Sequence, residues 1–259
     1  MTKSTKQAST TKSAGPDPFA RLGEKDLARA KKGHAHVYGK QHRCRTDTMG
    51  FPTHDNRSPL EIVLDASEGF IPLWEKGTTL RWRFQEQSLL HFSNVTAAKA
   101  AIRKLLGGAL LEWGKAVPVK FAERKDAWDF EVVVRESDDC DVNGCVLASA
   151  FFPDSGRHEL LLYPKMFGES KREQTETLAH ELGHVFGLRH FFAQVSETAW
   201  PSVRFGEHKP FSIMNYGAQS VMSDADRSDL KVLYTKVWSG ELQQINGTPI
   251  KLVRPFHAT

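Results

Sequence analysis

The sequence has 259 residues and a mass of 29.1 kDa, with 40% hydrophobic and 25% charged residues, proportions that exclude a wholly disordered, collagen-like or coiled-coil chain. The formal charge of +4 is uneven, because residues 1–45 carry 11 Lys and Arg against 3 Asp and Glu, which leaves the remaining residues at −4. No run of about 18 apolar residues occurs, so we expect no membrane span.

Residues 1–58 are basic and polar, and their composition predicts a largely disordered extension, which could serve as a pro-segment. Their charge could contact nucleic acid or a membrane, but a solvated tail is favoured because basic clusters with interleaved aromatic residues are missing. The stretch also lacks the apolar segment of about 7–15 residues that a secretory signal needs. We therefore expect a cytoplasmic location or a non-classical route of export.

Regular structure is predicted to begin near Leu80, where residues 80–84 alternate between apolar and polar as a half-buried strand does. Apolar residues then recur at helical spacing over residues 96–113, and Gly114 is placed to end that helix. Four further strands are predicted at 118–121, 130–134, 146–152 and 159–163. Together these elements predict an α+β fold, with one small mixed sheet backed by helices.

The rest of the chain predicts two more helices and a hairpin. One helix carries His180, and the other spans residues 223–234, where Ser223 can cap the first turn. In residues 239–259, an Asn246-Gly247 turn between two apolar runs predicts a short hairpin in a C-terminal tail. Earlier in the chain, an Asn-Gly turn can bring Cys140 and Cys145 within bonding distance, and whether they bond depends on the compartment.

The most informative segment, residues 180–190, reads HELGHVFGLRH. Helix positions i and i+4 share a face, so His180 and His184 can aim at one metal ion, while the offset Glu181 suits a general base. Gly187 can adopt a positive φ that ends the helix and lets His190 reach the same ion. Three neutral imidazoles leave a fourth position open, which is typical of a catalytic zinc site.

This motif resembles that of the metzincin metalloproteases, and Met214 in the downstream run Ser-Ile-Met-Asn-Tyr resembles their methionine turn. A Ser-x-Met-x-Tyr turn is similar to that of astacins and serralysins. The resemblance implies that Tyr216 can ligate zinc at rest and swing to the oxyanion during catalysis. The alternative is that Tyr216 only packs beneath the site.

Residues 146–153 resemble the matrixin segment that forms an edge strand over the substrate cleft. The resemblance implies that Leu147, Ala148 and Ser149 hold an extended peptide as an added strand. Ser149 stands where matrixins have a histidine, and their acidic glycine-rich stretch is replaced. One catalytic zinc is therefore implied, without the second, structural zinc or the usual calcium ions.

Matrixin pro-segments silence the zinc with a cysteine, and Cys44 lies upstream of the domain as a counterpart without the flanking proline and glycine of that motif. An ordinary free thiol is the alternative interpretation of Cys44.

The resemblance covers about residues 78–234 and implies a metzincin-type catalytic domain, which we place at residues 59–238, with the active-site helix under an edge-strand cleft. It implies a zinc-dependent endopeptidase that cuts extended polypeptides with a zinc-bound water activated by Glu181. The alternative is a zinc-bearing domain that binds peptides or proteins and is latent or non-proteolytic. We expect a protein or peptide substrate and a monomer, and we do not favour nucleic-acid binding.

Overall fold

The computed structural model describes residues 19, 36–38, 42–44, 46, 62–65, 69–141, 144–190, 202–205, 212–214 and 220–259. Within them the helices are α1 (Val95–Trp113), α2 (Pro164–Phe167), α3 (Lys171–Val185) and α4 (Asp224–Ser239), with short 3-10 turns at Glu86–Leu89, Gly114–Ala116 and Phe256–Ala258. The strands are β1 (His36–Tyr38), β2 (His42–Cys44), β3 (Ile62–Asp65), β4 (Ile71–Trp74), β5 (Thr79–Phe84), β6 (Lys120–Glu123), β7 (Phe130–Val134), β8 (Asp139–Asp141), β9 (Gly144–Ser149), β10 (His158–Leu162), β11 (Leu188–Arg189), β12 (Ser202–Phe205), β13 (Gln244–Ile245) and β14 (Thr248–Val253).

The largest sheet in the described part of the chain has the order β1-β2-β9-β10-β7-β5-β6, with β8 also paired to β9. It is mixed, because β5, β6, β7 and β10 pair in parallel whereas β9 runs antiparallel to β10. The strand predicted at residues 130–134 is β7, and β5 shows the expected alternation of half-buried and buried residues. The strands predicted at 118–121, 146–152 and 159–163 are β6, β9 and β10 with shifted ends. The α+β fold with a mixed sheet and helices is confirmed, but the described residues form two further three-stranded sheets, β11-β3-β12 and β13-β14-β4, so the prediction of a single small sheet is wrong.

Two long helices, α1 and α3, pack against each other beside this sheet. The side chain of Asn94 accepts the Ala97 amide at the start of α1, and Gly114 ends the helix with a φ of +55°. The face of α1 that the spacing predicts is buried in the core, with Ile102, Leu105, Leu106, Ala109 and Trp113. The apolar periodicity of this segment therefore fixes both the helix and the side that it buries.

Helix α4 begins one residue after Ser223, as predicted. Ser223 accepts the Asp226 amide and Asp226 accepts the Ser223 amide, so the two form a capping box. The helix runs beyond the predicted end at residue 234 to Ser239, because Val237 continues the buried face and the first residue with a positive φ is Gly240, at +79°.

The predicted C-terminal hairpin is formed by β13 and β14. Its turn residues Asn246 and Gly247 have φ values of +50° and +81°, the two positive angles that a tight two-residue hairpin turn requires. The hairpin is integrated into the domain, because β14 pairs in parallel with the fully buried strand β4. His257 then bonds through Nδ1 to the buried carboxylate of Asp129 at 2.8 Å, which anchors the last residues.

The segment before Leu80 contributes strands that the sequence pattern did not indicate. Strand β3 pairs with both β11 and β12 in a small sheet, and β1 and β2 extend the large sheet.

A disulfide joins Cys140 in β8 to Cys145 directly opposite in β9. Among the described helices, none combines the length and hydrophobicity needed to cross a membrane.

Candidate active site

The end of helix α3 is fixed by side chains from two other elements. The indole Nε1 of Trp74 donates to the carbonyl of Val185 at 2.7 Å, and the hydroxyl of Tyr234 donates to the carbonyl of Phe186 at 3.1 Å. Helix C-termini leave such carbonyls without helical partners. Burial raises the pKa of the Tyr234 phenol above its ordinary value, which keeps the hydroxyl a donor. Strand β4 and helix α4 therefore hold α3 at the turn that leads to His190.

Gly187 makes that turn. Its amide donates to the carbonyl of His184 at 2.8 Å, and its φ is +93°. A Cβ at this position would lie 3.0 Å from Leu73 and 3.3 Å from the backbone of Pro72. Glycine is therefore required by both the backbone angle and the close approach of β4. The chain then enters β11, whose pairing with β3 places His190 beside the helix.

The three predicted metal ligands converge. The ring centroids of His180, His184 and His190 lie 4.8, 4.8 and 4.9 Å apart, a nearly equilateral triangle. Their side chains are 2%, 0% and 0% exposed. Among the described residues, they form the one group of three or more ligand side chains placed to hold a metal ion.

The hydrogen bonds of these rings fit a cation at their centre. Nδ1 of His180 donates to the carbonyl of Ile213 at 2.8 Å, and Nδ1 of His184 donates to the carbonyl of Leu188 at 2.7 Å. A carbonyl oxygen only accepts, so each neutral ring turns the lone pair of Nε2 inward. These two Nε2 atoms lie 3.2 Å apart, and Nε2 of His190 lies 2.8 Å from that of His180. Converging imidazole lone pairs in a buried space are the donor set that zinc prefers.

Met214 packs against helix α3 at Gly183, one residue before His184. A Cβ built on Gly183 would lie 2.3 Å from Sδ of Met214 and 3.2 Å from the ring of Trp113. The indole of Trp113 also donates to the carbonyl of Ala179 at 2.8 Å. Glycine between the two candidate ligand histidines of α3 therefore lets Met214 approach the backbone of the helix.

The turn that carries Met214 is held by the buried carboxylate of Asp226, at the start of α4. Ser212 donates its hydroxyl to Asp226, and the amide of Ile213 donates to the same carboxylate at 3.4 Å. The amide of Met214 donates to the Ser212 hydroxyl at 3.1 Å. Because the carbonyl of Ile213 accepts from His180, Asp226 orients this candidate metal ligand through the turn formed by Ser212 and Ile213.

The predicted general base, Glu181, is fully buried next to the histidines. Its Oε2 accepts a hydrogen bond of 2.8 Å from the hydroxyl of Thr46, a residue 135 positions earlier in the chain. The same hydroxyl accepts the Ala150 amide at 2.7 Å. Thr46 therefore bridges the candidate base and the chain just beyond β9.

The predicted substrate-binding residues Leu147, Ala148 and Ser149 lie in β9, where all three are buried. One side of β9 pairs with β10, through Ala148 and Ser149. Strand β2 pairs with β9 as well, with Cys44 opposite Ala148. The strand lies next to the histidine centre, but the prediction that it is a free edge strand is wrong, because β2 pairs with the side of β9 that faces away from β10.

Two of the sequence predictions fall outside what the structure describes. Tyr216 is among residues 215–219, which lie outside the described residues. For Cys44 the structure describes only the strand it belongs to, so its role as a switch stays a prediction.

Sequence reasoning missed several residues that build the site: Thr46, Asp226, Trp74 and Tyr234. Asp226 carried a signal, since its position three residues after Ser223 marks a capping box, but that pattern does not indicate its contact with the methionine turn. Thr46 had no local signal at all, because its partners Ala150 and Glu181 are distant in the chain.

A match to a known protein family supports this arrangement. The family model of the matrixins, a family of metallopeptidases, matches residues 73–235, which include the histidine motif and the methionine turn. Solved structures similar to the chain include myroilysin, with 14% identity, 66% of this chain and 98% of the other covered and a TM-score of 0.42. Another is high choriolytic enzyme 1, a hatching-enzyme zinc protease from the medaka fish Oryzias latipes, with 15% identity, coverages of 63% and 94% and a TM-score of 0.42. No curated protein sequence matches the chain.

Proposed function

The chain belongs to the matrixin family of zinc metalloendopeptidases, and we propose that it hydrolyses peptide bonds in extended polypeptide segments with Glu181 as the general base. The observation that carries the proposal is the buried carboxylate of Glu181 on the helix that presents two of the three convergent imidazoles. Its Oε2 already accepts an O–H donor, the hydroxyl of Thr46. A water molecule that attacks a peptide bond would offer the same kind of donor to this oxygen.

His180, His184 and His190 would hold the zinc ion. When bound, zinc polarises the scissile carbonyl and lowers the pKa of water to about 7. Glu181 would take a proton from the attacking water and hand it to the leaving amine nitrogen. The family predicts a protein or peptide substrate, and β9 is our candidate for the strand beside which its backbone lies.

Tyr216 and Met214 complete the proposal. We assign Tyr216 the stabilisation of the oxyanion, by its resemblance to the tyrosine that follows the methionine turn in astacins and serralysins. Met214 would act as a support, because it fills the space below Gly183 and its turn orients His180 through the carbonyl of Ile213.

The role of Glu181 is tested by Glu181→Gln, which keeps the size of the side chain and removes its basicity. We expect kcat on denatured casein to fall by at least about two orders of magnitude, with zinc content unchanged. Glu176→Gln is the matched control, because Glu176 lies on the same helix and pairs only with Arg172 near the surface among the contacts described. A chelator should abolish cleavage by the unmodified protein. Undiminished cleavage by Glu181→Gln would refute the assignment.

A further inference from the structure

Arginine and aromatic side chains are interleaved where the C-terminal segment meets the large sheet. The guanidinium of Arg83 lies 4.5 Å from the ring centroid of Trp128, and that of Arg157 lies 4.6 Å from the same ring. Arg157 also lies 4.4 Å from the ring centroid of Phe256. Each of these contacts is a cation–π interaction. We call these four residues the arginine–aromatic surface.

The two arginines of this surface differ in their hydrogen bonds. Arg83 donates through Nε to Glu131 at 2.8 Å and through Nη1 to the carbonyl of Lys125 at 3.3 Å. Arg157 is exposed, and within the described part of the chain it makes no hydrogen bond or ion pair. Ring contacts use the charge of a guanidinium but not its N–H donors. The donors of Arg157 therefore remain able to bind the two oxygens of a carboxylate.

A buried carboxylate holds the backbone that carries the two rings. Asp129 is 2% exposed and accepts both the amide and Nδ1 of His257 at 2.8 Å. Asp129 follows Trp128 in the chain, and His257 follows Phe256. Because these bonds fix both rings, the guanidinium between them is already ordered. Arg157 can then bind an anion with little further loss of conformational entropy.

The loop that carries Trp128 adds two cations to this surface. Arg124 and Lys125 are exposed, and in the described residues their side chains have no ion pair or hydrogen bond. The carbonyl of Lys125 accepts from Arg83, so the loop packs against the arginine–aromatic surface. A ligand bound at Arg157 is therefore close to further positive charge.

The carboxylates of the neighbouring segments already have partners. Glu131 forms the ion pair with Arg83. Asp154 accepts the amide of Gly156. Backbone amides of its own loop bond Asp126 and lower the pKa of its carboxyl group. The unpaired charges of this surface are therefore cationic.

One loop connects the surface to the histidine centre. Residues 150–157 join β9 to β10 and end at Arg157. Near the other end of the loop, the ring of Phe152 lies 5.5 Å from that of His184. Five residues of extended chain span at most about 18 Å. A single extended polypeptide can therefore reach both the centre and the surface.

We propose that the arginine–aromatic surface and the adjacent cations at residues 124–125 form an exosite, a binding site outside the cleft, for acidic segments of polypeptide substrates. Carboxylates of the segment would bind the free donors of Arg157, and the rings would contact its apolar groups. Phe256 lies beyond residues 73–235, which the family model matches, so the C-terminal segment of this chain completes the site. The inference rests on the proposed peptidase function.

Substitutions of the cations test the exosite. Arg157→Gln removes the free guanidinium, and we expect the Kd of an acidic peptide to rise about tenfold. Arg157→Lys keeps the charge without the planar donors, so we expect a rise of about threefold. In a second variant Arg124→Gln and Lys125→Gln are combined, with an expected rise of about fivefold. Arg172→Gln is the matched control, because Arg172 is an exposed arginine paired with Glu176 on another surface.

Binding is measured by fluorescence anisotropy with a labelled peptide rich in glutamate and with the same peptide carrying glutamine at those positions. The zinc-loaded full-length protein with Glu181→Gln serves as the background, so that the probe is not consumed. We expect the glutamate peptide to bind more tightly than the glutamine peptide, and the difference to shrink as the salt concentration rises. Arg157→Gln should remove most of this difference, and Arg172→Gln should leave it unchanged.

Cleavage assays with an active Glu181 separate this inference from the proposed function. A peptide that the protein cleaves is extended by a glutamate segment about six residues from the cleaved bond, or by the glutamine equivalent. We expect a higher kcat/KM for the glutamate version at one or both ends of the peptide. Arg157→Gln should remove this gain and leave kcat/KM of the glutamine version unchanged.

Each other outcome decides one of the two assignments. Arg157-dependent binding of the glutamate peptide without any cleavage would support the acidic-peptide site and refute the protease assignment. Equal binding of the two peptides, or equal losses in Arg157→Gln and Arg172→Gln, would overturn the exosite even if both peptides are cleaved. If a single-stranded oligonucleotide binds more tightly than the glutamate peptide and depends on Arg157, the surface binds nucleic acid and the peptide exosite is overturned.

Discussion

Gly183 lies where helix α3 packs against Met214 of the methionine turn, and it offers a sharp test of how the site is built. Gly183→Ala adds one methyl group in the middle of α3. That carbon would lie 2.3 Å from Sδ and 3.1 Å from Cε of Met214, and 3.2 Å from the ring of Trp113. Because Met214 is 3% exposed and Trp113 is fully buried, neither side chain can move aside into solvent.

The magnitude follows from two opposing effects. Alanine is a better helix former than glycine by about 1 kcal/mol. Overpacking a buried site costs about 1–3 kcal/mol, and an approach below van der Waals contact on a central atom of Met214 favours the upper value. We therefore expect a net decrease of about 2 kcal/mol in the free energy of unfolding. We also expect zinc affinity to fall about tenfold or more, since a shifted turn moves the carbonyl of Ile213 away from His180.

Urea unfolding and zinc competition titration measure the two effects, and Gly107→Ala provides the control. Gly107 lies inside α1, and a Cβ there meets nothing within 4 Å, so this variant should gain about 1 kcal/mol from helix propensity. A Gly183→Ala variant that is as stable as Gly107→Ala and keeps its zinc affinity would refute this explanation. Glycine at position 183 would then not be required by the close packing of Met214 against α3.

Three further predictions concern the supports of the site. Tyr234→Phe removes the hydroxyl from the buried carbonyl of Phe186, and we expect a loss of about 1–3 kcal/mol in urea unfolding. Asp226→Asn should lower the free energy of unfolding by about 2 kcal/mol and weaken zinc binding. Asp224→Asn is the control, because Asp224 lies in the same turn with a fully exposed side chain. This control should change the free energy of unfolding by less than about 0.5 kcal/mol. The stability measured by thermal unfolding should fall at both ends of the pH scale. Burial lowers the pKa of His158, so the folded state loses stability relative to the unfolded state as the pH drops below the ordinary value of 6.5. Burial raises the pKa of Tyr234, so stability is lost as the pH rises above the ordinary value of 10.0.

The sequence predicted the core of the site because its determinants are local. His180, His184 and Gly187 are related by helical periodicity and by one backbone angle, and the structure places His190 as that spacing requires. Strands β5 and β7 and helix α1 were also predictable, since alternation and helical spacing act over a few residues.

Elements that depend on distant partners were not predictable in this way. Strand β4 has no alternation because it is buried on both faces, and it contains Pro72, which argues against a strand. It becomes a strand through its pairing with β14, about 180 residues later in the chain. Strands β1 and β2 have three residues each, too few to show an alternating pattern. They form through pairing, of β1 with β2 and of β2 with the distant β9.

The two buried carboxylates of the site are both bonded to hydroxyl groups. Asp226 accepts from Ser212 and Ser223, and Glu181 accepts from Thr46. A hydrogen bond from a hydroxyl offsets part of the desolvation of a buried charge. The partners of Asp226 lie within 14 residues of it in the chain, whereas the partner of Glu181 lies 135 residues earlier. The surroundings of Asp226 are therefore determined by nearby sequence, and those of Glu181 depend on how distant parts of the chain pack together.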